Sequence, residues 1–226
     1  MGESILKTGP NPELNRARQT LWFALRHGKW VLLIAFLCPL FLSLYALYVY
    51  KRNNFHILSP GKAYRSAQLD KKALKECIHE FGIKTILNLR ESVTNADWYR
   101  EEKMVAADHG VQHLDFNLSE YDEVSVEDLD RIAALLRDAP KPVLIHCAAG
   151  ADRTGLVSAL YRYKLEGLAP EKSFGELSMW YGHVPLLRNR VLAMDTSFWR
   201  YVTNDLKKAS VLASKQIAVS VLPSAK

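Results

Sequence analysis

The chain has 226 residues, 49% of them hydrophobic and 24% charged, and a formal net charge of +6; that suffices for one domain with a real core plus an appendage. Residues 1–65 carry nine Lys/Arg against two Glu, whereas the remaining 161 residues carry 21 basic and 22 acidic side chains. The basic excess therefore belongs to the N-terminal region, which argues against a nucleic-acid-binding domain. The three cysteines, Cys38, Cys77 and Cys147, show no C-x-x-C spacing, and no histidine pair sits at zinc-ligand spacing. A disulfide framework and a metal site are not indicated, and no cofactor is expected.

Residues 1–29 form a basic N-terminal segment. Its stretch from Arg16 to Lys29 mixes basic and apolar residues, which suits either an anionic membrane surface or an ordinary solvated flank. Trp30 to Tyr50 then gives 21 residues without a charge. At about 1.5 Å per residue this run spans roughly 30 Å, the hydrocarbon thickness of a bilayer. Trp30, Tyr48 and Tyr50 mark its ends as interfacial aromatics do, and Pro39 is a kink point that membrane helices tolerate. The run exceeds the apolar core of a signal peptide, and it closes in Tyr-Val-Tyr-Lys-Arg in place of a small-residue cleavage site. It reads as an uncleaved single-pass anchor. Arg16, Arg18, Arg26 and Lys29 on one flank nearly balance Lys51, Arg52, Lys62 and Arg65 on the other. Lys7 tips the balance towards an N-terminus inside, which places the C-terminal domain outside the cytoplasm.

Residues 51–60 read as a linker, and residues 61–208 as the soluble domain. Ala63-Tyr64-Arg65 is a short strand. Asp70 to Phe81 has helical spacing, with Leu74, Cys77, Ile78 and Phe81 on one face and Gly82 at the end. Thr85 to Leu89 is a buried strand, Asn95 to His109 a helix closed by Gly110, and Val111 to Leu118 the next strand. Ser125-x-x-Asp128 opens a helix that runs to Arg137, and Asp138-Ala139-Pro140 breaks it before the strand Val143–Ile145. Further helices are expected near Arg153–Glu166, Pro170–Tyr181 and Arg188–Lys208, and residues 209–226 are expected to be a disordered tail. The alternation predicts an α/β domain with a mainly parallel central sheet flanked by helices, preceded by one transmembrane helix.

The segment Ile145-His146-Cys147-Ala148-Ala149-Gly150-Ala151-Asp152-Arg153-Thr154-Gly155 joins the last strand to a helix. Ligands of parallel sheets sit at the carboxyl ends of the strands, and Cys147 lies there. A thiol attacks only as thiolate, a form that a helix N-terminus and a neighbouring arginine both favour. The backbone N–H groups of Ala148, Ala149, Gly150, Ala151, Asp152 and Arg153 can turn inward as a nest for phosphoryl oxygens. Gly150 lets the loop bend. Arg153 offers a planar fork for two oxygens and for the charge of the transition state. Thr154 can donate to the sulfur as it leaves, and His146 orients the loop.

His-Cys-x-x-Gly-x-x-Arg-Thr resembles the signature of the protein tyrosine phosphatase superfamily, in its small dual-specificity-like branch. Tyr64-Arg65-Ser66-Ala67-Gln68, Asn88-Leu89-Arg90 and Tyr181-Gly182-His183 resemble elements of bacterial members of that branch. The resemblance covers roughly residues 60–201; its bacterial branch, taken with the anchor read from residues 30–50, points to a bacterial cell membrane. The resemblance also implies a metal-independent reaction in two steps: Cys147 attacks phosphorus to give a cysteinyl-phosphate, which water then hydrolyses. In the family an aspartate on a loop before the cysteine protonates the leaving group. In this chain Asp122 is the first candidate and Glu120 the next, whereas Asp115 lies inside a strand and suits a packing or hydrogen-bonding role. Asp152, beside Arg153 as in myotubularin-like lipid phosphatases, is the alternative acid within the loop.

Arg90, at the end of a strand on the catalytic edge, is a candidate substrate contact. Tyr64 and Arg65 are expected beside the loop, Asp195 at an arginine or a helix end, Trp98 and Tyr99 over the core, and Cys77 as a buried helix residue more than a redox partner. The implied substrates are phosphotyrosine or phosphoserine/threonine proteins, or a membrane phospholipid phosphate such as phosphatidylglycerophosphate. Two other readings compete: a phosphate-binding pseudophosphatase, which typically lacks the nucleophile, and a rhodanese-like sulfur transferase, which the arginine and threonine in phosphatase register disfavour.

Overall fold

The computed structural model describes residues 12–51, 53–92, 94–185 and 192–221. The chain divides into two compact units, residues 1–48 and 49–226. The first is dominated by helix α1, which spans Pro12–Lys51. One stretch of it, His27–Tyr45, is long and apolar enough to cross a membrane. The basic stretch from Arg16 to Lys29 lies in the same helix as the apolar run. The helix passes through Pro39, beside which Ser43 Oγ donates to the Pro39 carbonyl at 2.8 Å. Lys7 and Arg52, two of the flanking charges, lie outside the described residues.

The second unit is a five-stranded sheet of β1 (His56–Ser59), β2 (Ala63–Ser66), β3 (Thr85–Asn88), β4 (Gln112–Asp115) and β5 (Val143–His146), in the spatial order β1-β2-β5-β3-β4. Four strands are parallel, and β1 pairs antiparallel with β2. Strand β1 lies in the segment expected to be a linker. Two consecutive left-handed residues, Asn53 (φ 51°) and Asn54 (φ 48°), turn the chain after α1 and start it; asparagine tolerates that conformation better than most residues. The Asn53 carbonyl accepts from Ala67 N at 2.7 Å, so the turn is tied to the end of β2.

Helices α2 (Lys71–Phe81), α3 (Asp97–Asp108), α4 (Val126–Asp138) and α5 (Asp152–Lys164) alternate with the strands as expected. Their ends follow local chemistry: Asp70 accepts from Ala73 N, Ser125 accepts from Asp128 N, and Gly82 closes α2 at φ 63°. Side chains alternate across the strands. Leu87 and Ile145 join the core with Leu129, Ile132, Leu156 and Phe198 on one face, while Ile86 and Leu144 join Leu74, Cys77, Ile78 and Val105 on the other. Cys147 belongs to the first core and Cys77 to the second, where burial, with Glu80 adding to it, pushes the Cys77 thiol up to about 12. That arrangement supports a structural and not a redox role for Cys77.

The expected helix over 170–181 is instead a short α6 (Pro170–Phe174) followed by a 3-10 turn, Met179–Tyr181. Glu176 lies between them, with both its backbone carbonyl and its side chain committed to Arg65. Helix α7 spans Leu192–Val221, so the tail expected to be disordered is helical to that point. It holds alanines and neither glycine nor proline before Pro223, a composition that lets a helix propagate. The expected start of this helix at Arg188 lies outside the described residues.

Arg65 is fully buried, and its Nη1 donates to Glu176 Oε2 at 2.7 Å and to the Glu176 carbonyl at 2.9 Å. Burial draws the guanidinium pKa down, and Glu176 opposes that shift. Removing one partner of such a pair leaves an uncompensated charge in the interior. Glu176→Ala is therefore expected to lower stability by about 3–5 kcal/mol in thermal or urea unfolding of the full chain. A loss under about 1 kcal/mol would contradict the pairing as a structural necessity.

Candidate active site

Cys147 follows the last residue of β5, and Asp152 begins α5, so residues 147–151 form the loop between them. Outward-facing groups set the shape of this loop. Leu89 N donates to the His146 carbonyl at 2.9 Å and Gln68 N to the Ala148 carbonyl at 3.2 Å. Asn54 Nδ2 donates to the Ala149 carbonyl at 3.0 Å, Arg65 Nη2 to the Gly150 carbonyl at 2.9 Å, and Gly155 N to the Ala151 carbonyl at 2.8 Å. With these carbonyls held by the scaffold, the N–H groups are what the loop presents to an anion. Gly150 has φ 70°, and a Cβ there would lie 2.5 Å from Ala67 N and 2.6 Å from the Ser66 carbonyl carbon. Only glycine fits both the torsion and the contact.

Cys147 is 2% exposed, and its Sγ accepts from Gly150 N at 3.3 Å. The N-terminus of α5 adds a positive partial charge at the same place. Arg153, in the first turn of α5, donates through Nη1 to the Leu118 carbonyl at 3.3 Å and through Nη2 to Glu120 Oε1 at 2.5 Å. The loop after β4 thus meets the first turn of α5 through Glu120. Asp122 instead accepts from Ser119 Oγ at 2.8 Å within its own turn. Thr154 Oγ1 is buried and makes no hydrogen bond among the described residues.

Asp152 points elsewhere: its Oδ1 lies 2.6 Å from Nδ1 of the buried His183, whose Nε2 lies 3.1 Å from Asp195 Oδ1. Burial disfavours the His183 cation, but the hydrogen bonds to Asp152 and Asp195 outweigh that and push its pKa up to about 9. A charged histidine therefore clamps the start of α5 to the first turn of α7, where Asp195 sits at the helix end expected for it.

Behind Cys147 lies a second buried polar group. Glu102 Oε1 hydrogen-bonds His113 Nε2 at 2.8 Å and lies 3.2 Å from His146 Nε2, which is in ion-pair range but not aligned for a hydrogen bond. Glu102 Oε2 accepts from Gln68 Nε2 at 2.5 Å. Burial alone would raise the Glu102 pKa; His146, His113 and Gln68 outweigh it and hold the carboxyl well below the usual range. Asp115 accepts from Asn88 Nδ2 at 2.8 Å and Tyr99 OH at 2.7 Å, the hydrogen-bonding role expected of it. Tyr99 is buried, whereas Trp98 stacks on Arg90.

Of the residues singled out from sequence, the structure brings His146, Cys147, Gly150, Arg153, Thr154 and Arg65 into one strand–loop–helix site, with Arg90 on the adjacent strand end. Sequence reasoning missed Glu102, Glu176, Asn54 and the clamping role of His183. Glu102 alone left a readable signal: it sits three residues from both Tyr99 and Val105, a carboxylate on the buried face of α3.

The site thus sets a buried cysteine at the base of a glycine-bent loop rich in N–H groups, with an arginine in the first turn of the helix that follows. Residues 48–167 match the model of the tyrosine phosphatase family, more than half of the chain, and the chain belongs to that family. That membership makes it a phosphatase. Several solved structures share the fold. TpbA of P. aeruginosa is 22% identical over 67% of this chain and 92% of its own, with a TM-score of 0.50. The catalytic core of Siw14 is 23% identical over 72% and 91%, with a TM-score of 0.53. A putative phosphatase from Shewanella putrefaciens CN-32 is 17% identical over 65% and 88%, with a TM-score of 0.52. No curated protein matches the sequence.

The His183 clamp has a pH signature. A folded pKa of about 9, above the ordinary 6.5, means that its stabilisation is fully present below pH 6.5 and lost as pH rises through 9. His183→Gln is expected to cost about 1.5–3 kcal/mol at pH 6. The gap in unfolding midpoint between wild type and variant should close between pH 7 and 10; a gap constant across that range would contradict the clamp.

Proposed function

We propose that this chain is a membrane-anchored phosphatase that hydrolyses phosphomonoesters through a cysteinyl-phosphate, without a metal ion or cofactor. The phosphate loop carries the reading: its carbonyls are pulled outward, its N–H groups are left for phosphoryl oxygens, Arg153 is held beside it by a half-exposed glutamate that phosphate can replace, and Cys147 sits at its base. The substrate is a phosphoprotein or a membrane phospholipid phosphate such as phosphatidylglycerophosphate. The apolar stretch of α1 supplies the anchor, which raises the effective concentration of a substrate in the same bilayer.

In the first step the Cys147 thiolate attacks phosphorus, the phosphorus–oxygen bond to the leaving group breaks, and the departing oxygen takes a proton. Glu120 is the proton donor in this reading. Its carboxyl already touches Arg153, and an incoming phosphate that takes over the arginine leaves Glu120 beside the leaving oxygen. Asp122 is engaged by Ser119, and Asp152 by the His183 cation. In the second step water attacks phosphorus, Glu120 accepts its proton, and the sulfur–phosphorus bond breaks. The buried hydroxyl of Thr154 then serves as hydrogen-bond donor to the released thiolate.

The test is a panel of variants of the full chain in detergent. Cys147→Ser is expected to abolish hydrolysis of para-nitrophenyl phosphate, by about 10³-fold or more. Glu120→Gln should lower kcat about 10²-fold on phenyl phosphate, a poor leaving group, and much less on para-nitrophenyl phosphate. Leaving-group dependence that appears in Asp122→Asn or Asp152→Asn but not in Glu120→Gln would transfer the role to that aspartate. Retained turnover in Cys147→Ser would remove the covalent mechanism.

A further inference from the structure

Arg90 follows β3 at the same sheet edge as Cys147. The two strands are neighbours, with Asn88 opposite His146. Three contacts hold the residue: its backbone N donates to Asn88 Oδ1 at 2.9 Å, its guanidinium stacks 3.8 Å from the centre of the Trp98 ring, and its Nη1 donates to Gln68 Oε1 at 3.2 Å. Gln68 cannot turn away, because its Nε2 is bound to Glu102 and its backbone N to the Ala148 carbonyl. The Arg90 guanidinium is therefore fixed one residue from the phosphate loop.

What distinguishes this arginine is its charge balance. Arg65 has Glu176, Arg153 has Glu120, and Arg162 has both Glu166 and Glu176. Arg90 has no carboxylate at ion-pair distance among the described residues; its partners are a neutral amide and an indole face. Glu102, the carboxylate beyond that amide, is already shared among His113, His146 and Gln68. Partial burial and the nearby Arg153 both work against the Arg90 charge. A preorganised, partly desolvated guanidinium of this kind gains most from an anion delivered by the ligand, because the fork matches phosphate oxygens and its geometry is already fixed.

We propose that Arg90 is a second anion subsite, which binds a phosphate or phosphodiester carried by the substrate close to the scissile phosphomonoester. The proposal rests on the phosphatase reading above and narrows its substrate class to molecules with two phosphate groups on a short linker. A lipid headgroup with an internal phosphodiester and a terminal phosphomonoester has that chemistry, and so does a small soluble bisphosphate.

The experiment measures kcat/KM of the full chain in detergent for three substrates. Phosphatidylglycerophosphate in mixed micelles and glycerol 1,3-bisphosphate in solution both place two phosphates on a glycerol; para-nitrophenyl phosphate has no second anion. Arg90→Met, which keeps a long side chain over Trp98, should lower kcat/KM for the two-phosphate substrates about ten-fold or more beyond any loss on para-nitrophenyl phosphate, mainly through KM. Arg90→Lys should recover part of that loss. A loss in both two-phosphate arms supports a subsite that reads either source, and a loss confined to the micellar arm supports one that reads the lipid headgroup. Equal losses on all three substrates, or none on any, would overturn the subsite. If wild type turns over none of the three, the phosphatase reading has failed. Calorimetric binding of glycerol 1,3-bisphosphate to wild type and Arg90→Met then still decides the subsite, since equal affinities would overturn it.

Discussion

The outward pull on the backbone of residues 148–151 is the constraint on which the site depends. A peptide group has two polar ends, and a short loop cannot present both to the same ligand. Here the scaffold takes the carbonyls: Gln68 holds Ala148, Asn54 holds Ala149, Arg65 holds Gly150, and Gly155 holds Ala151. These donors come from the end of β2, from the turn after α1 and from α5, so the loop is defined by elements far apart in sequence. The close approach of Gly150 to Ser66 and Ala67 has the same origin, because the loop is drawn onto the end of β2. The nest of N–H groups is thus organised before any ligand arrives, the condition under which fixed dipoles can lower a reaction barrier.

Charge is arranged around this loop in paired layers. Arg65 lies beneath it and is neutralised by Glu176, while its guanidinium also stacks 3.9 Å from the Tyr181 ring. Arg153 lies above it and is held by Glu120 from the loop after β4. The first of these contacts is buried and structural. The second involves a half-exposed glutamate on an exposed loop, a contact that an incoming phosphate can replace. His183 adds a cation shared by two aspartates and fixes the start of α5. Arg90 is the exception to this pairing among the described residues, which is why it is proposed as the second anion subsite.

The fold was legible wherever a signal was contiguous. The alternation of strands and helices followed from local periodicity, and Asp70, Gly82 and Ser125 marked helix ends by their own side-chain or torsional chemistry. The segment from His146 to Thr154 was legible for the same reason, since nucleophile, bend and arginine fall within one short run. Partners separated by long stretches of chain were not. Nothing near Arg65 announces Glu176, and nothing near Asp152 announces His183. Strand β1 escaped notice because it is four residues long and is set up by two left-handed asparagines. The acid that contacts Arg153 was hardest to read. Three acids lie at suitable positions along the chain, and only the path of the loop brings Glu120, more than Asp122 or Asp152, to Arg153.

The central claim is that Cys147 becomes covalently phosphorylated at the base of this loop. Acid quench of the full chain within a single turnover, followed by peptide mass spectrometry, tests it most directly. The account predicts one added phosphoryl group on the peptide that contains Cys147, lost again as turnover completes and absent from Cys147→Ser. Release of inorganic phosphate with no adduct on that peptide at any time, or an adduct on another residue, would contradict it.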